Sequence, residues 1–486
     1  MNTQQLIENI PYNQLIGTLP ETVEHITMDS REVRRGSVFI CIKGYTVDGH
    51  DFAQQAAVQG AVLIVSEQPL DLPDTPVLIV ADSDRTLGLL AAKFYGYPSK
   101  EMQMIGVTGT NGKTSVSGIL HSMLMELGKT SAVTGTIGFN LNGELHPSAN
   151  TTSDALTTQQ MIAKAKEAGC SHMTMEVSSH GLVLGRLAGV EFNTAIFTNL
   201  THDHLDFHGT MDEYGHAKGL LFSQLGQNLQ EKKQAVLNAD DPWSKKYADM
   251  TSHPVYTYGV KEAAQFKAGN IEMGDQGTKF TLTCPEGEFA VSMKLLGQFN
   301  VSNALAAITA LYAEGFELAE VLAALSRIAP VEGRMQKVEL DAPVSIFIDY
   351  AHTPDAIEKA IDAVADFKTN RIIFLVGTGG NRDKTKRPIM AQKASVADYV
   401  VLTTDDPRYE EYDSILNDLQ TGMAHANFAC IGDRAEAVKH AVAQAEPGDI
   451  IILAGKGHED YQIIGSTKYP HSDKEIAVQE ALKKFR

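Results

Sequence analysis

Tryptophan occurs once in the 486 residues and cysteine only four times. Cys41, Cys170, Cys284 and Cys430 are far apart and form no CxxC pair, which excludes a zinc ribbon and a dithiol redox motif and predicts reduced thiols. Long apolar runs are missing too: none approaches the roughly 20 residues that a membrane span requires. The opening stretch MNTQQLIENIPYNQL has no basic patch leading into an apolar core, so no signal peptide is read and a cytoplasmic location is expected. Positive charge is scarce, with 41 Lys and Arg against 60 Asp and Glu and a net charge of −19. Nonspecific affinity for nucleic acid comes from clustered cations, so nucleic acid is not an expected partner. No internal repeat and no low-complexity segment interrupts the chain.

What is present is globular: 43% hydrophobic and 21% charged residues, with 40 Gly and 17 Pro. At roughly 100–200 residues per domain the length suggests two to four domains. Short β-type runs alternate with helical periodicity, which predicts α/β layers with mainly parallel sheets. Three domains are expected, over 1–98, 99–330 and 331–486, the first a smaller α/β unit and the last a doubly wound, Rossmann-like unit. Its strands are read at 346–348, 372–376, 399–402 and 450–453. A monomer is expected.

The strongest chemical signal follows the predicted strand 104–107. There Gly109, Thr110, Asn111, Gly112, Lys113 and Thr114 lead into a helix whose apolar positions run from Val116 to Leu127 and which Gly128 should end. Glycines let backbone N–H groups close around phosphate oxygens, the helix N-terminus adds positive potential, Lys113 adds a point charge and Thr114 offers a magnesium ligand. Val107 stands where the usual eight-residue pattern has its first glycine. No Asn-Lys-x-Asp segment signals guanine, so ATP is the expected nucleotide. Glu176, at the end of a predicted strand, suits the hard magnesium cation. A second periodic helix is read after Asn300.

The segment 198–208 gathers His202, His204 and His208 with Asp203 and Asp206 beside a strand end. Three readings fit: a zinc or two-metal hydrolase site, a hydrogen-bonded loop, or the completion of the ATP site's magnesium shell. By spacing alone Lys218 is a lysine on a helix.

Taken in order, TGTNGKT (108–114), EVSSHGL (176–182), TNLTHDHLDFHGT (198–210), HAK (216–218), GQFNVSNALAA (297–307), EGRM (332–335), DYAHTPD (349–355), GGNRDKTKR (379–387) and GKGHEDYQ (455–462) resemble the Mur ligase family over essentially the whole chain. These ATP-dependent enzymes build the peptide stem of bacterial cell-wall precursors. The motifs most resemble the branch that adds the third residue, a diamino acid, to UDP-MurNAc-L-Ala-D-Glu. The resemblance implies an acyl phosphate intermediate, with Lys113, Lys218 and His204 catalytic and Thr114, Glu176, His204 and Lys218 around magnesium. It implies a CO2-derived carbamate on Lys218, and adenosine contacts from Asn300, Arg334 and Asp349. Asn150, Thr151, Thr152, Ser178 and Arg186 match the part that holds the muramoyl dipeptide, and Ser30, Tyr45, Thr46 and Val47 the uridine pocket.

For the added amino acid the resemblance points to Arg382, Asp405, Asp406, Pro407, Arg408, Gly455 and Glu459. Relatives that take meso-diaminopimelate usually carry Asp-Asn-Pro-Arg, and this chain has Asp405-Asp406-Pro407-Arg408. A guanidinium is the natural partner of diaminopimelate's distal carboxylate. Arg408 therefore favours diaminopimelate as the expectation. L-Lysine is the alternative, and it gains if Asp406 pairs with Arg408 and neutralises it. A folylpolyglutamate-type ligase and a non-catalytic nucleotide-binding protein are the more distant readings.

Overall fold

A computed structural model describes the chain over residues 1–486 apart from Tyr45, Thr46, Ala149, Asp275 and Arg486. The expected uridine contacts of Tyr45 and Thr46 therefore lie outside the described residues. The first of three main sheets has five strands in the spatial order Gln14–Ile16, Val77–Ile79, Ala61–Ser66, Ser37–Ile40, His25–Thr27. Only the Gln14–Ile16 edge runs antiparallel. All four residues of Ser37–Ile40 are buried, as expected of a parallel strand covered on both faces. Helix Ser83–Phe94 lies against it, started by Asp82, whose carboxylate accepts from Arg85 N.

The central sheet has eleven strands. Its parallel core is ordered Val255–Gly259, Gln234–Asn238, Thr194–Phe197, Gln103–Thr108, His172–Glu176, Ser131–Thr134. Helices Lys113–Glu126 and Gln298–Glu314 pack together on one face, bringing Val116, Ile119, Leu120 and Met123 against Val301, Leu305 and Ile308. Gly128 leaves the first helix at φ +72°, as expected. The second begins at Gln298, on Gly297 at φ +89°, so Asn300 lies inside its first turn and does not precede it. The expectation of mainly parallel sheets misses an antiparallel meander, Phe266–Gly274, Gly277–Cys284 and Gly287–Met293, that extends one edge.

The C-terminal sheet is ordered Gln336–Lys337, Ser345–Asp349, Ile450–Ala454, Ile372–Thr378, Tyr399–Thr404, Phe428–Cys430, all parallel beyond its first strand. Asp349, Thr378, Thr404 and Ala454 end neighbouring strands, and open α/β sheets take ligands at those ends. Helix Pro354–Ala365 buries Ile357, Ile361 and Val364 on one side and starts with Pro354, whose missing N–H costs nothing there. Among the described residues the four cysteines are free and no helix is long and apolar enough to cross a membrane.

Candidate active site

The ends of the central and C-terminal sheets enclose a cavity of about 910 Å³. On the central side, strand Gln103–Thr108 turns through the glycine loop into helix Lys113–Glu126. Gly109, at φ +152°, could not be replaced, because a Cβ there would stand 1.8 Å from Thr198 Oγ1. The helix starts at Gly112 with no side chain capping it, so its first N–H groups remain available to an anion. Lys113 Nζ donates to the carbonyls of Gly109 and Thr110, each at 2.9 Å. Burial lowers the lysine's proton affinity, opposed by the charges of Glu176 and Asp203.

Glu176 is 2% exposed and ends strand His172–Glu176. Its carboxylate accepts from Thr114 Oγ1 at 3.0 Å and from Thr136 N at 2.8 Å and Thr136 Oγ1 at 3.2 Å. Thr136 was not foreseen from the sequence; it lies in a TGTIG turn with no motif of its own. Thr114 Oγ1 also accepts from Arg334 Nη2 at 2.8 Å. Arg334 thus reaches the loop's threonine. Its guanidinium lies over the Tyr350 ring, 4.6 Å from the centroid. Asp349 accepts from Met335 N and Ala351 N and so fixes the turn that carries Arg334. Asn111 Nδ2 donates to Asp355 Oδ2 at 2.7 Å, a second tie from the glycine loop to the C-terminal domain.

Lys218, 1% exposed, lies beneath the loop and donates to Gly109 O at 2.8 Å, with its ammonium 4.3 Å from the Tyr214 ring centroid. Burial first, and then Lys113, push its proton affinity well below that of an ordinary lysine, so the neutral amine is favoured. His204 adopts φ +53° at the start of helix Leu205–His208, and its Nε2 is 3.4 Å from Asp203 Oδ2. Burial holds it down at about 4, against the Asp203 charge. Among the described residues, the one group of three ligand-type side chains whose donor atoms lie within 4.8 Å of one another is Asp405, Asp406 and Glu459. The histidine turn does not assemble such a group, which removes the support for a zinc hydrolase.

Thr110, Asn111, Gly112, Lys113, Thr114, Thr151, Glu176, His204, Arg334, Asp349, Arg382, Asp405, Asp406, Arg408, Gly455 and Glu459 all line the cavity. Gly109, Lys218, Asn300, Asn150, Thr152, Ser178, Arg186 and Pro407 do not, nor do Ser30 and Val47 of the N-terminal domain. Asn300 is buried: its Nδ2 donates to Leu296 O and its Oδ1 accepts from Asn303, the residue that does face the cavity. Thr152 Oγ1 donates to Glu176 O, Ser178 N donates to Thr152 Oγ1, and Arg186 Nη1 donates to Thr152 O. This chain of bonds ties Thr152, Ser178 and Arg186 to the Glu176 end of the cleft, where Thr151 lines the cavity.

On the C-terminal side Asp405, Asp406 and Glu459 surround Lys456 Nζ at 2.9, 2.5 and 3.0 Å. Arg408 Nη2 is 3.4 Å from Asp406 Oδ2, and its Nη1 donates to Gly380 O and Asp406 O. Burial pushes the Glu459 carboxyl up, with Asp405 and Asp406 adding to the rise and Lys456 opposing it.

Partly buried histidines make stability depend on pH. Burial and the Arg334 charge hold His458 at about 4, against its ordinary 6.5. The unfolded chain therefore binds the extra proton first: stability is complete above pH 6.5 and is lost as pH falls toward 4, by about 2 kcal/mol at pH 5 from this group. His208, also held at about 4 by burial, acts in the same direction. The melting temperature is expected to drop between pH 7.5 and pH 5.0, and an unchanged value would remove the neutral state assigned to these rings.

A family model described as "Mur ligase family, catalytic domain" matches residues 22–95, "Mur ligase middle domain" matches 107–311, and "Mur ligase, glutamate ligase domain" matches 333–457. The chain is 46% identical to "UDP-N-acetylmuramyl-tripeptide synthetase 2" of Oceanobacillus iheyensis, over 99% of this chain and 98% of that protein. It is 46% identical to "UDP-N-acetylmuramoyl-L-alanyl-D-glutamate--L-lysine ligase" of Staphylococcus haemolyticus, over 100% and 99%. Among solved structures it resembles a UDP-N-acetylmuramoyl-L-alanyl-D-glutamate--2,6-diaminopimelate ligase, at 32% identity and TM-score 0.69, with 96% of each chain covered.

Proposed function

Because the chain belongs to the Mur ligase family, and is thus an ATP-dependent amide-forming ligase of peptidoglycan synthesis, we propose that it joins L-lysine to UDP-MurNAc-L-Ala-D-Glu. The observation that carries the choice of lysine is the acidic wall of Asp405, Asp406 and Glu459, with Arg408 engaged by Asp406. A distal ammonium suits the wall's excess of negative charge, which would repel a distal carboxylate. The sequence-based preference for diaminopimelate assumed an Arg408 free for that carboxylate. The Staphylococcus haemolyticus relative named for lysine, at 46% identity, supports the same reversal.

In the reaction, a γ-carboxylate oxygen of the D-glutamate attacks the γ-phosphorus of ATP, and the bond to the bridging oxygen breaks to release ADP. The amine of lysine not held by the acidic wall attacks the acyl carbon of the resulting acyl phosphate. The tetrahedral intermediate collapses with loss of phosphate, and the amine's proton leaves. Both steps gather negative charge, so the residues must offset it. The helix N-terminus and Lys113 face the β- and γ-phosphates. Arg334, tied to Thr114, brings a second cation to the same place. Arg382, on the opposite wall, serves the lysine α-carboxylate.

Thr114 and Glu176 present adjacent hard oxygens, a donor set that fits magnesium, with His204 on the same cavity wall. Magnesium bound there supplies neutralising charge to the nucleotide's phosphates. Lys218 fits carbamate formation for a separate reason: burial lowers its proton affinity, and the free amine can add to CO2, forming an N–C bond and releasing one proton. The carbamate would be an anion opposite Lys113 and an orienting group beneath the loop.

The proposal is tested by phosphate release. ATP is expected to be consumed only when UDP-MurNAc-L-Ala-D-Glu and L-lysine are both present; binding of ATP without ligation under those conditions would refute it.

A further inference from the structure

Asp405, Asp406 and Glu459 line the cavity, but Lys456, at the hub of the three, does not. It is 0% exposed and lies behind them, on the turn that follows strand Ile450–Ala454. A substrate in the cleft meets the carboxylates and cannot meet this ammonium. Building the ring costs desolvation, because a buried lysine and three carboxylates are all withdrawn from bulk water. A role in stability alone would be served by one well-packed pair.

The charges in the ring are instructive. Lys456 and Arg408 set two positive charges against three carboxylates, which leaves one negative charge at the wall. The nearby Arg434 does not change this balance, since its guanidinium is committed to Asp473, with Nη2 2.6 Å from Oδ2. Asp405 Oδ1 is itself buried, 2.9 Å from Lys456 Nζ, so its charge faces the ring's own cation. One unit of negative charge therefore remains for one incoming monocation. Asp406 Oδ1 is further fixed by Ile463 N at 2.9 Å, so Lys456 pulls the other two carboxylates toward an anchored oxygen.

We infer that Lys456 is a positioning residue for amino-acid selection: it holds Asp405, Asp406 and Glu459 ionised in one ring whose uncompensated charge admits a single side-chain ammonium. This rests on the lysine reading given above. Without Lys456 the three carboxylates repel one another. The burial-raised Glu459 then takes up a proton and becomes a donor, where an ammonium requires acceptors only.

The test uses the full-length enzyme with ATP and UDP-MurNAc-L-Ala-D-Glu, comparing L-lysine with norleucine, which lacks the distal amine. The wild-type enzyme is expected to prefer lysine strongly. A wild-type enzyme that does not use lysine would refute the lysine reading itself. Lys456→Ala is expected to raise KM for lysine at least tenfold, to leave kcat at saturating lysine and KM for ATP within about threefold, and to regain lysine affinity when n-butylamine is added. A merely structural role would instead move KM for ATP and kcat together and give no amine rescue. A folded Lys456→Ala enzyme that keeps its lysine KM overturns the inference while leaving the lysine reading intact. Should that variant fail to fold, Lys456→Arg decides: retention of the lysine preference supports the ring's dependence on a cation, and its loss overturns it.

Discussion

Lys218→Ala is expected to lower ligation at least a thousandfold, with short carboxylic acids such as acetate or propionate restoring part of the activity. The side chain is buried beneath the glycine loop, donates to Gly109 O, and has its proton affinity lowered by burial and by Lys113. An ordinary cationic lysine there would place two like charges under one phosphate-binding loop, which the low dielectric makes costly. A carbamate reverses the sign and gives Lys113 an anionic neighbour, so the variant loses an anion as well as a hydrogen bond. Rescue separates the two losses, because a free carboxylic acid supplies the anion without the tether. Full activity in Lys218→Ala would eliminate the carbamate, and loss of activity together with loss of fold would show as a collapsed melting transition.

Asp406→Asn is the second large effect. Asp406 Oδ1 accepts from Lys456 and from Ile463 N, and Oδ2 faces Arg408. Asparagine keeps one oxygen but removes the charge, so the wall becomes neutral overall and Arg408 is released toward the cleft. A charge-assisted hydrogen bond is worth about 1.5–3 kcal/mol, or roughly 10- to 150-fold. kcat/KM for lysine is expected to fall by at least tenfold and that for meso-diaminopimelate to rise, moving the ratio of the two by about a hundredfold. Steady-state kinetics with each amino acid check this, and a lysine kcat/KM within threefold of wild type would contradict the role given to Asp406.

How well the sequence foretells these features depends on how local each one is. The glycine loop is legible because strand, turn and helix are contiguous and each glycine answers a local demand, as Gly109 does at Thr198. The parallel core of the central sheet and the C-terminal sheet are legible from alternating apolar runs for the same reason. The 266–293 meander was missed although Gly277–Cys284 alternates buried and more exposed positions, because short strands of that kind stand out only once their neighbours are known. Lys456 lies inside a motif that was recognised, yet its meaning depends on Asp406, 50 residues away. Thr136 is 40 residues from Glu176 and carries no signal of its own. Arg408 is a different case: its partner Asp406 is only two residues away, so the pairing is open to sequence reasoning, but whether the two side chains meet is decided by the fold, which sets Nη2 3.4 Å from Oδ2.

The most direct measurement is a competition. The enzyme is supplied with ATP, magnesium, UDP-MurNAc-L-Ala-D-Glu and equal concentrations of L-lysine and meso-diaminopimelate, and the product is identified by mass spectrometry. The lysine-containing tripeptide is expected to dominate by at least a hundredfold; a product made mainly from diaminopimelate would contradict the account of the acidic wall.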